Sequence, residues 1–182
     1  MTDFYDAGPL RAAANTLFLG WGYDFYKSTN QLRADDQLIR AKVGQLLGFV
    51  QADLAAAETA FRRTNIAPPT RAAPFPDPAA VAGAKTLERL AREVGTLGGR
   101  ITAAPAPSPD RMTDRYRDEG ETLTYLRDHD RVLVGQAALL RNVVEGKDGA
   151  GLLAAASEID EGLTALRRTL ETRASALTSA TR

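Results

Sequence analysis

The sequence predicts an all-α protein, an elongated antiparallel bundle of about five helices with proline-rich connectors. Two observations indicate this fold class. Apolar residues recur at alternating steps of three and four along most of the chain, which is the spacing that brings them onto one helix face. Prolines are concentrated in short stretches between these patterns, and no segment has the apolar and polar alternation of a strand.

Composition and charge narrow the class of protein. The 182 residues fit one domain over residues 1–182, because two full domains need a longer chain. The 23 basic and 23 acidic residues cancel, so no overall field attracts nucleic acid, and no nucleic-acid partner is expected. The chain has no cysteine, which excludes disulfides and thiolate metal sites.

The beginning of the chain predicts a cytoplasmic protein. Asp3 and Asp6 lie where a secretory signal would carry basic residues. No stretch of about 18 uncharged apolar residues is present, so no membrane span is expected.

The first predicted helix begins at Gly8-Pro9 and ends in a block of aromatic residues. Trp21 lies between two glycines, which weaken a helix unless close packing or a ligand compensates. We interpret the block as a candidate pocket for a small apolar or planar ligand. The alternative is that the rings only pack at one end of the bundle. The candidate ligand-binding residues are Phe18, Trp21, Tyr23, Phe25 and Tyr26.

The central predicted helix runs from Gln31 to Asn65, after the cap-type residue Ser28. Its apolar stripe consists of Leu32, Ile39, Val43, Leu46, Val50, Ala57 and Phe61. A second strip contains only small residues, at which a neighbouring helix can approach closely; it consists of Gly44, Gly48, Ala52 and Ala56.

Proline-rich connectors at 66–78 and 103–109 enclose the next predicted helix. That helix begins at Asp77-Pro78, a capping residue followed by a first-turn proline, and ends at Gly98-Gly99. A long helix from Arg111 to Glu145 follows, then a turn at 146–149 and a last helix with apolar residues from Leu152 to Leu177. The prediction is therefore two helices of about 35 residues, one a little shorter and two of about 20.

Four charged residues interrupt the apolar stripes. The same rhythm places Asp36 in the central helix, Glu119 and Asp130 in the long fourth helix and Arg173 in the last one. A carboxylate in an apolar seam is costly unless it is paired. We expect these acids to pair with Arg33, Arg40, Arg117 or Arg173 and to fix helix register, or to reach water by rotation of the helix.

A metal site between the helices is the alternative role for these acids. Carboxylate sites in ferritin-like bundles need a Glu-x-x-His step from each of two helices, whereas this chain has one histidine, His129, without an acid three residues before it. His129 lies between Asp128 and Asp130, but adjacent helical residues point about 100° apart and do not face each other. We expect His129 to be a buried polar residue, like Asp36, Glu119, Asp130 and Arg173. No catalytic motif accompanies it, so no catalytic residue and no cofactor is predicted.

The sequence thus favours a non-catalytic helical bundle that acts in protein–protein association or assembly, with a second copy or with another helical protein. The long apolar stripes exceed what short helices readily cover, and the proline connectors are stiff. The two alternatives are a small-molecule-binding bundle with its pocket at Trp21, and a carboxylate metal site that uses Asp36, Glu119 and Asp130.

Overall fold

The computed structural model describes residues 29–71, 73–105 and 119–179, with side chains described for 36–71, 73–105 and 125–175. This part of the chain is helical and contains no strand, so the all-α bundle is confirmed, whereas its elongated outline stays a prediction. The predicted helix that carries Trp21 and the connector after Pro105 lie outside the described residues. The helices are α1 (Thr29–Asn65), α2 (Pro78–Thr102), α3 (Glu119–Val144), α4 (Gly149–Ala154) and α5 (Ala156–Ser179).

The four longer helices form a ring around one core. Helix α1 packs against α2 and α3, and α5 packs against α2 and α3 on the opposite side. The hairpin α1–α2 and the pair α3–α5 are antiparallel, as predicted. In contrast, α1 and α3 run in the same direction, because α2 ends at the side of the bundle where α3 begins. Among the described residues, no helix is long and apolar enough to cross a bilayer.

The core-facing stripe of α1 is rotated slightly from the predicted one. Leu47 and Leu54 are fully buried, whereas the predicted Leu46 is only partly buried and packs at the edge of the core. The buried positions of α1 are Asp36, Ile39, Arg40, Val43, Leu47, Val50 and Leu54. From Asp36, all of them except Ile39 follow alternating steps of four and three, which is the heptad spacing of near-parallel helices.

Helix α2 begins as predicted and ends later than predicted. Asp77 Oδ1 accepts a hydrogen bond from the Ala79 N–H at 3.1 Å, and Pro78 occupies the first turn. The predicted end at Gly98-Gly99 is wrong, since α2 continues to Thr102. Gly98 lies inside the helix at the contact with α1, where an added Cβ would meet the Leu47 Cβ at an ordinary contact distance of 3.4 Å.

The small-residue strip of α1 is an interhelical contact at only one of its positions. Gly44 faces the Thr102 side chain of α2. Gly48, Ala52 and Ala56 are exposed, so the predicted close packing along the whole strip is wrong. Along α1 the strip turns away from α2. Helix α2 contacts the side of α1 next to Arg40 and not the outer side, where Gly48, Ala52 and Ala56 lie.

The connector at 66–77 begins with the half-buried Ile66, and its other described residues are exposed. It contains a turn in which the Thr70 N–H donates to the Ala73 carbonyl oxygen at 3.0 Å. Phe75 is 85% exposed and lies between two prolines.

The chain reverses after α3 at the predicted turn. Gly146 has a φ of 74°, which favours glycine, and Asp148 Oδ1 caps α4 by accepting from the Gly151 N–H at 2.8 Å. The predicted single last helix is divided at Ala155, where ψ is 4°. At this end of the bundle, the Phe61 ring of α1 packs against Gly83 of α2 and Gly149 of α4.

Candidate functional site

Three of the four charged residues predicted on the apolar stripes meet at one end of the bundle. Asp36, Asp130 and Arg173 are 3%, 1% and 1% exposed, respectively. Arg173 lies between the two acids: its Nε donates to Asp130 Oδ1 at 3.0 Å, and its Nη2 donates to Asp36 Oδ1. The side chain of the fourth residue, Glu119, is outside the described part of the chain.

Arg40 completes this cluster, and the sequence predicts it only as one possible partner of the acids. Its Nε and Nη2 donate to Asp36 Oδ2 at 3.2 and 2.9 Å, and it is 4% exposed. Position 40 lies four residues after Asp36 and three before Val43, so the heptad rhythm itself was the signal that would have placed it in the seam. We call Asp36, Arg40, Asp130 and Arg173 the ionic cluster.

Both arginines of the ionic cluster also bind the end of α2. Arg40 Nη1 donates to the carbonyl oxygens of Thr102, at 3.2 Å, and of Ala104. Arg173 Nη1 donates to the Pro105 carbonyl oxygen at 3.2 Å. The last carbonyls of a helix lack intrahelical partners and carry partial negative charge. The cluster therefore joins α1, α3 and α5, and it binds the last carbonyl of α2 and two carbonyls of the segment that follows.

The formal charges of the four side chains balance, but the two carboxylates differ in their hydrogen bonding. Asp36 is bonded through both oxygens, whereas Asp130 Oδ2 is buried without a hydrogen-bond partner. Burial and the negative charge of Asp36 outweigh the attraction of Arg173 and raise the pKa of Asp130 to about 7. Arg173 is also desolvated, yet Asp130 and Asp36 raise the pKa of its guanidinium, so Arg173 stays charged.

The described residues do not fit a metal centre. They contain no group of three or more histidine, cysteine, aspartate or glutamate side chains that would hold a metal ion. The two carboxylates that meet, Asp36 and Asp130, have the guanidinium of Arg173 between them, and its positive charge opposes a cation at that position. The arrangement suits helix positioning and uptake of a proton by a carboxylate.

His129 does not join the ionic cluster, and its expected burial is wrong. It is only half-buried, because one residue of helix turns it about 100° away from Asp130. Its Nδ1 lies 2.9 Å from the Tyr125 carbonyl oxygen, and the two rings pack with centroids 4.2 Å apart. The aromatic block of Phe18, Trp21, Tyr23, Phe25 and Tyr26 lies outside the described residues, so a pocket there stays a prediction.

A second ionic network joins α2 to α5 at the surface. The Arg89 guanidinium donates two hydrogen bonds to the Asp160 carboxylate, both at 2.9 Å. It also donates to Glu93 at 2.9 Å. Arg167 donates to the other oxygen of Glu93 at 2.6 Å. The hydrogen bonds from Arg89 and then Arg167 lower the pKa of Glu93. Because these side chains are partly exposed, the network guides helix pairing more than it stabilises the fold.

The outer face of α1 is the third feature with a bearing on function. Leu38 is 41% exposed and Phe49 is 46% exposed, and both point away from the core. The Arg141 guanidinium of α3 stacks on the Phe49 ring, with Cζ 4.7 Å from the ring centroid. This contact holds the ring in place while leaving nearly half of it in water.

Comparison with known proteins does not assign the chain to a family. No family model matches the chain, and neither a curated protein nor a solved structure shows significant similarity to it.

Proposed function

We propose that this protein is a non-catalytic helical bundle that associates with a second copy of itself through the outer face of α1. The single observation that carries the proposal is the presence of two large exposed apolar side chains, Leu38 and Phe49, on the same side of one helix. They are eleven residues apart, which is three turns and about 20° of rotation. Together they form an apolar surface that a partner can cover.

Small residues share this face with the two large ones. At 100° per residue, the face spans an arc of about 100° opposite the core. Gly48 has open space around it, with no atom within 4 Å of an added Cβ. Such positions let a second helix approach closely. The exposed residues of the face are Leu38, Ala41, Gln45, Gly48, Phe49 and Ala52.

The order of large and small residues is self-complementary in an antiparallel pair. When two copies of α1 cross at Gln45, position i of one copy faces position 90 − i of the other. Phe49 then faces Ala41, and Leu38 faces Ala52. Each large side chain meets a small one, and the same patch serves both copies, as a two-fold symmetric interface requires. Gln45 meets its own copy, where two amides can bond to each other.

Sedimentation velocity at micromolar concentration tests the association. We expect a dimer for the natural sequence and a monomer for Leu38→Glu and Phe49→Glu, because each places a charge in the apolar contact. Phe75→Glu is the matched control, since Phe75 is also an exposed aromatic residue but lies in the connector. A monomer at every concentration would refute the proposal.

The absence of cysteine allows a direct test of the register. A Gln45→Cys variant should form a disulfide-linked dimer under mild oxidation, because position 45 faces itself. Thr59→Cys, on an equally exposed part of α1, should not, because position 59 faces position 31 of the other copy. Efficient linkage of both variants, or of Thr59→Cys alone, would contradict the antiparallel register.

A further inference from the structure

The hydrogen bonds of the ionic cluster identify one atom as a proton acceptor. Asp36 accepts from Arg40 at Oδ2 and from Arg173 at Oδ1. Asp130 accepts from Arg173 at Oδ1 only, and its Oδ2 is buried without a partner. A buried anionic oxygen that lacks a donor is strongly disfavoured. Of the four carboxylate oxygens in the cluster, Asp130 Oδ2 is therefore the one that gains most from binding a proton.

The charged groups facing Asp130 come from each neighbouring described helix. Helix α1 supplies Asp36 and Arg40, and α5 supplies Arg173. The end of α2 supplies only backbone carbonyls, which already occupy the Nη1 donors of both arginines. The half-buried charged residues next to Asp130 on α3 itself are Arg127, Asp128 and Arg131, which interact with one another.

We propose that Asp130 Oδ2 is a proton-binding site shared with Asp36, and that its occupancy controls whether the cluster end of the bundle is closed. In the protonated form, the Oδ2–H of Asp130 donates to the Asp36 carboxylate, which binds the same Arg173 guanidinium. Arg173 then remains bound to the carboxyl groups of both aspartates, and α1, α3 and α5 stay packed together. Loss of the proton leaves two adjacent buried anions, one of them incompletely bonded. The helix ends then separate more often.

Burial, reinforced by the negative charge of Asp36, favours the protonated form of Asp130 up to neutral pH. It raises the pKa of Asp130 to about 7, so occupancy changes between mildly acidic and mildly alkaline solution. Once the end opens, water restores an ordinary aspartate pKa of about 4. Because opening is coupled to loss of this proton, the equilibrium constant for opening the cluster end of the bundle is about tenfold larger at pH 8 than at pH 6.

Amide hydrogen exchange of the complete protein at pH 6 and pH 8 tests this inference. After correction for the intrinsic pH dependence of exchange, peptides covering residues 98–104 and 126–131 should show about tenfold more opening at pH 8. Peptides around Phe61 and Gly83, at the other end of the bundle, are the internal reference and should show no such change. Equal protection at both pH values, or the same change at both ends, would overturn the proposal.

Two variants assign the effect to Asp130. Asp130→Asn keeps the shape of the side chain, offers a permanent N–H donor and cannot titrate, so the pH difference at residues 98–104 should disappear. Asp128→Asn removes an acid two residues away that is half-buried, and should preserve the difference. A pH difference that survives in Asp130→Asn would overturn the assignment. If that variant does not fold, a carbon-13 NMR titration of the Asp130 carboxyl in the natural sequence decides: a midpoint below 5 refutes the site.

Discussion

Arg173 on α5 and Asp130 on α3 form an ion pair across the bundle, with Nε 3.0 Å from Oδ1 and both side chains 1% exposed. The same guanidinium also reaches Asp36 on α1 and the carbonyl oxygen of Pro105. One side chain thus binds groups from α1, α3 and the segment after α2. Sliding any of these elements by one turn would leave charges buried without partners. The pair therefore fixes helix register, which apolar stripes alone specify weakly.

Arg173→Met should destabilise the fold strongly. The substitution keeps most of the side-chain volume but leaves Asp36 with one arginine and Asp130 with none. Removing one partner of a buried ion pair costs roughly 3–5 kcal/mol, which urea denaturation measures directly. Arg168→Met, on the exposed side of the same helix, is the control and should change the free energy of unfolding by less than about 1 kcal/mol. Similar losses in both variants would show that burial of Arg173 is not the cause.

The free energy of unfolding should fall as the pH rises from 5 to 8. The folded-state pKa of Asp130 is about 7, above its unfolded value of about 3.9. A raised pKa contributes stability that is fully present below the unfolded value and is lost as the pH passes through the folded value. The slope attributable to this one group is up to about 1.4 kcal/mol per pH unit. Urea denaturation of the natural sequence and of Asp130→Asn gives the contribution as the difference between their two slopes.

Glu93 should have the opposite pH dependence. Its folded pKa is lowered by the hydrogen bonds from Arg89 and Arg167, so its contribution is present above the unfolded pKa and is lost as the pH falls through the folded one. Glu93→Gln should cost no more than about 1 kcal/mol at neutral pH, since the network is partly exposed. The cost should shrink at low pH and in 1 M salt. A loss that is independent of salt would indicate packing of the side chain and not its charge.

The sequence predicted three of the four members of the ionic cluster because these three follow the same rhythm as the core. Asp36, Asp130 and Arg173 lie at positions where apolar residues are expected, and a charge at such a position requires a partner. The sequence did not indicate which arginine pairs with which acid, because partners 137 residues apart, such as Arg173 and Asp36, are brought together only by the order of helices in the ring. That order depends on the connection between α2 and α3, which carries no pairing signal.

Local signals predicted helix starts better than helix ends. Asp77-Pro78 marks the start of α2 by side-chain and proline chemistry that acts within one turn. Gly98-Gly99 has the sequence of a helix end, but Gly98 is buried inside α2 at the contact with Leu47 of α1, and the helix continues to Thr102. The rotation that buries Leu47 instead of Leu46 likewise depends on where α2 and α3 lie around α1. The end of α2 and the exact face that a helix buries thus depend on neighbours that are distant in the sequence.

A pair of glycine variants should have opposite effects on stability. Gly99 lies in α2 with no atom within 4 Å of an added Cβ, so Gly99→Ala should stabilise the fold by about 0.5–1 kcal/mol through helix propensity. At Gly149 the added Cβ would lie 2.8 Å from the Phe61 Cβ. Gly149→Ala should therefore push α4 away from α1 and cost about 1–3 kcal/mol.

A second substitution tests whether Phe61 is the cause of that cost. Phe61→Ala removes the ring but keeps the Cβ that an alanine at position 149 would meet most closely, so it should relieve only the additional contacts with the ring carbons, at 2.9 and 3.2 Å. The double variant should consequently lose less stability than the sum of the two single losses, by 0.5 kcal/mol or more. Thermal or urea unfolding of the four proteins gives this coupling energy. Strict additivity would mean that the strain at Gly149 comes from the start of α4 itself, and that the approach of α1 does not depend on a glycine at this position.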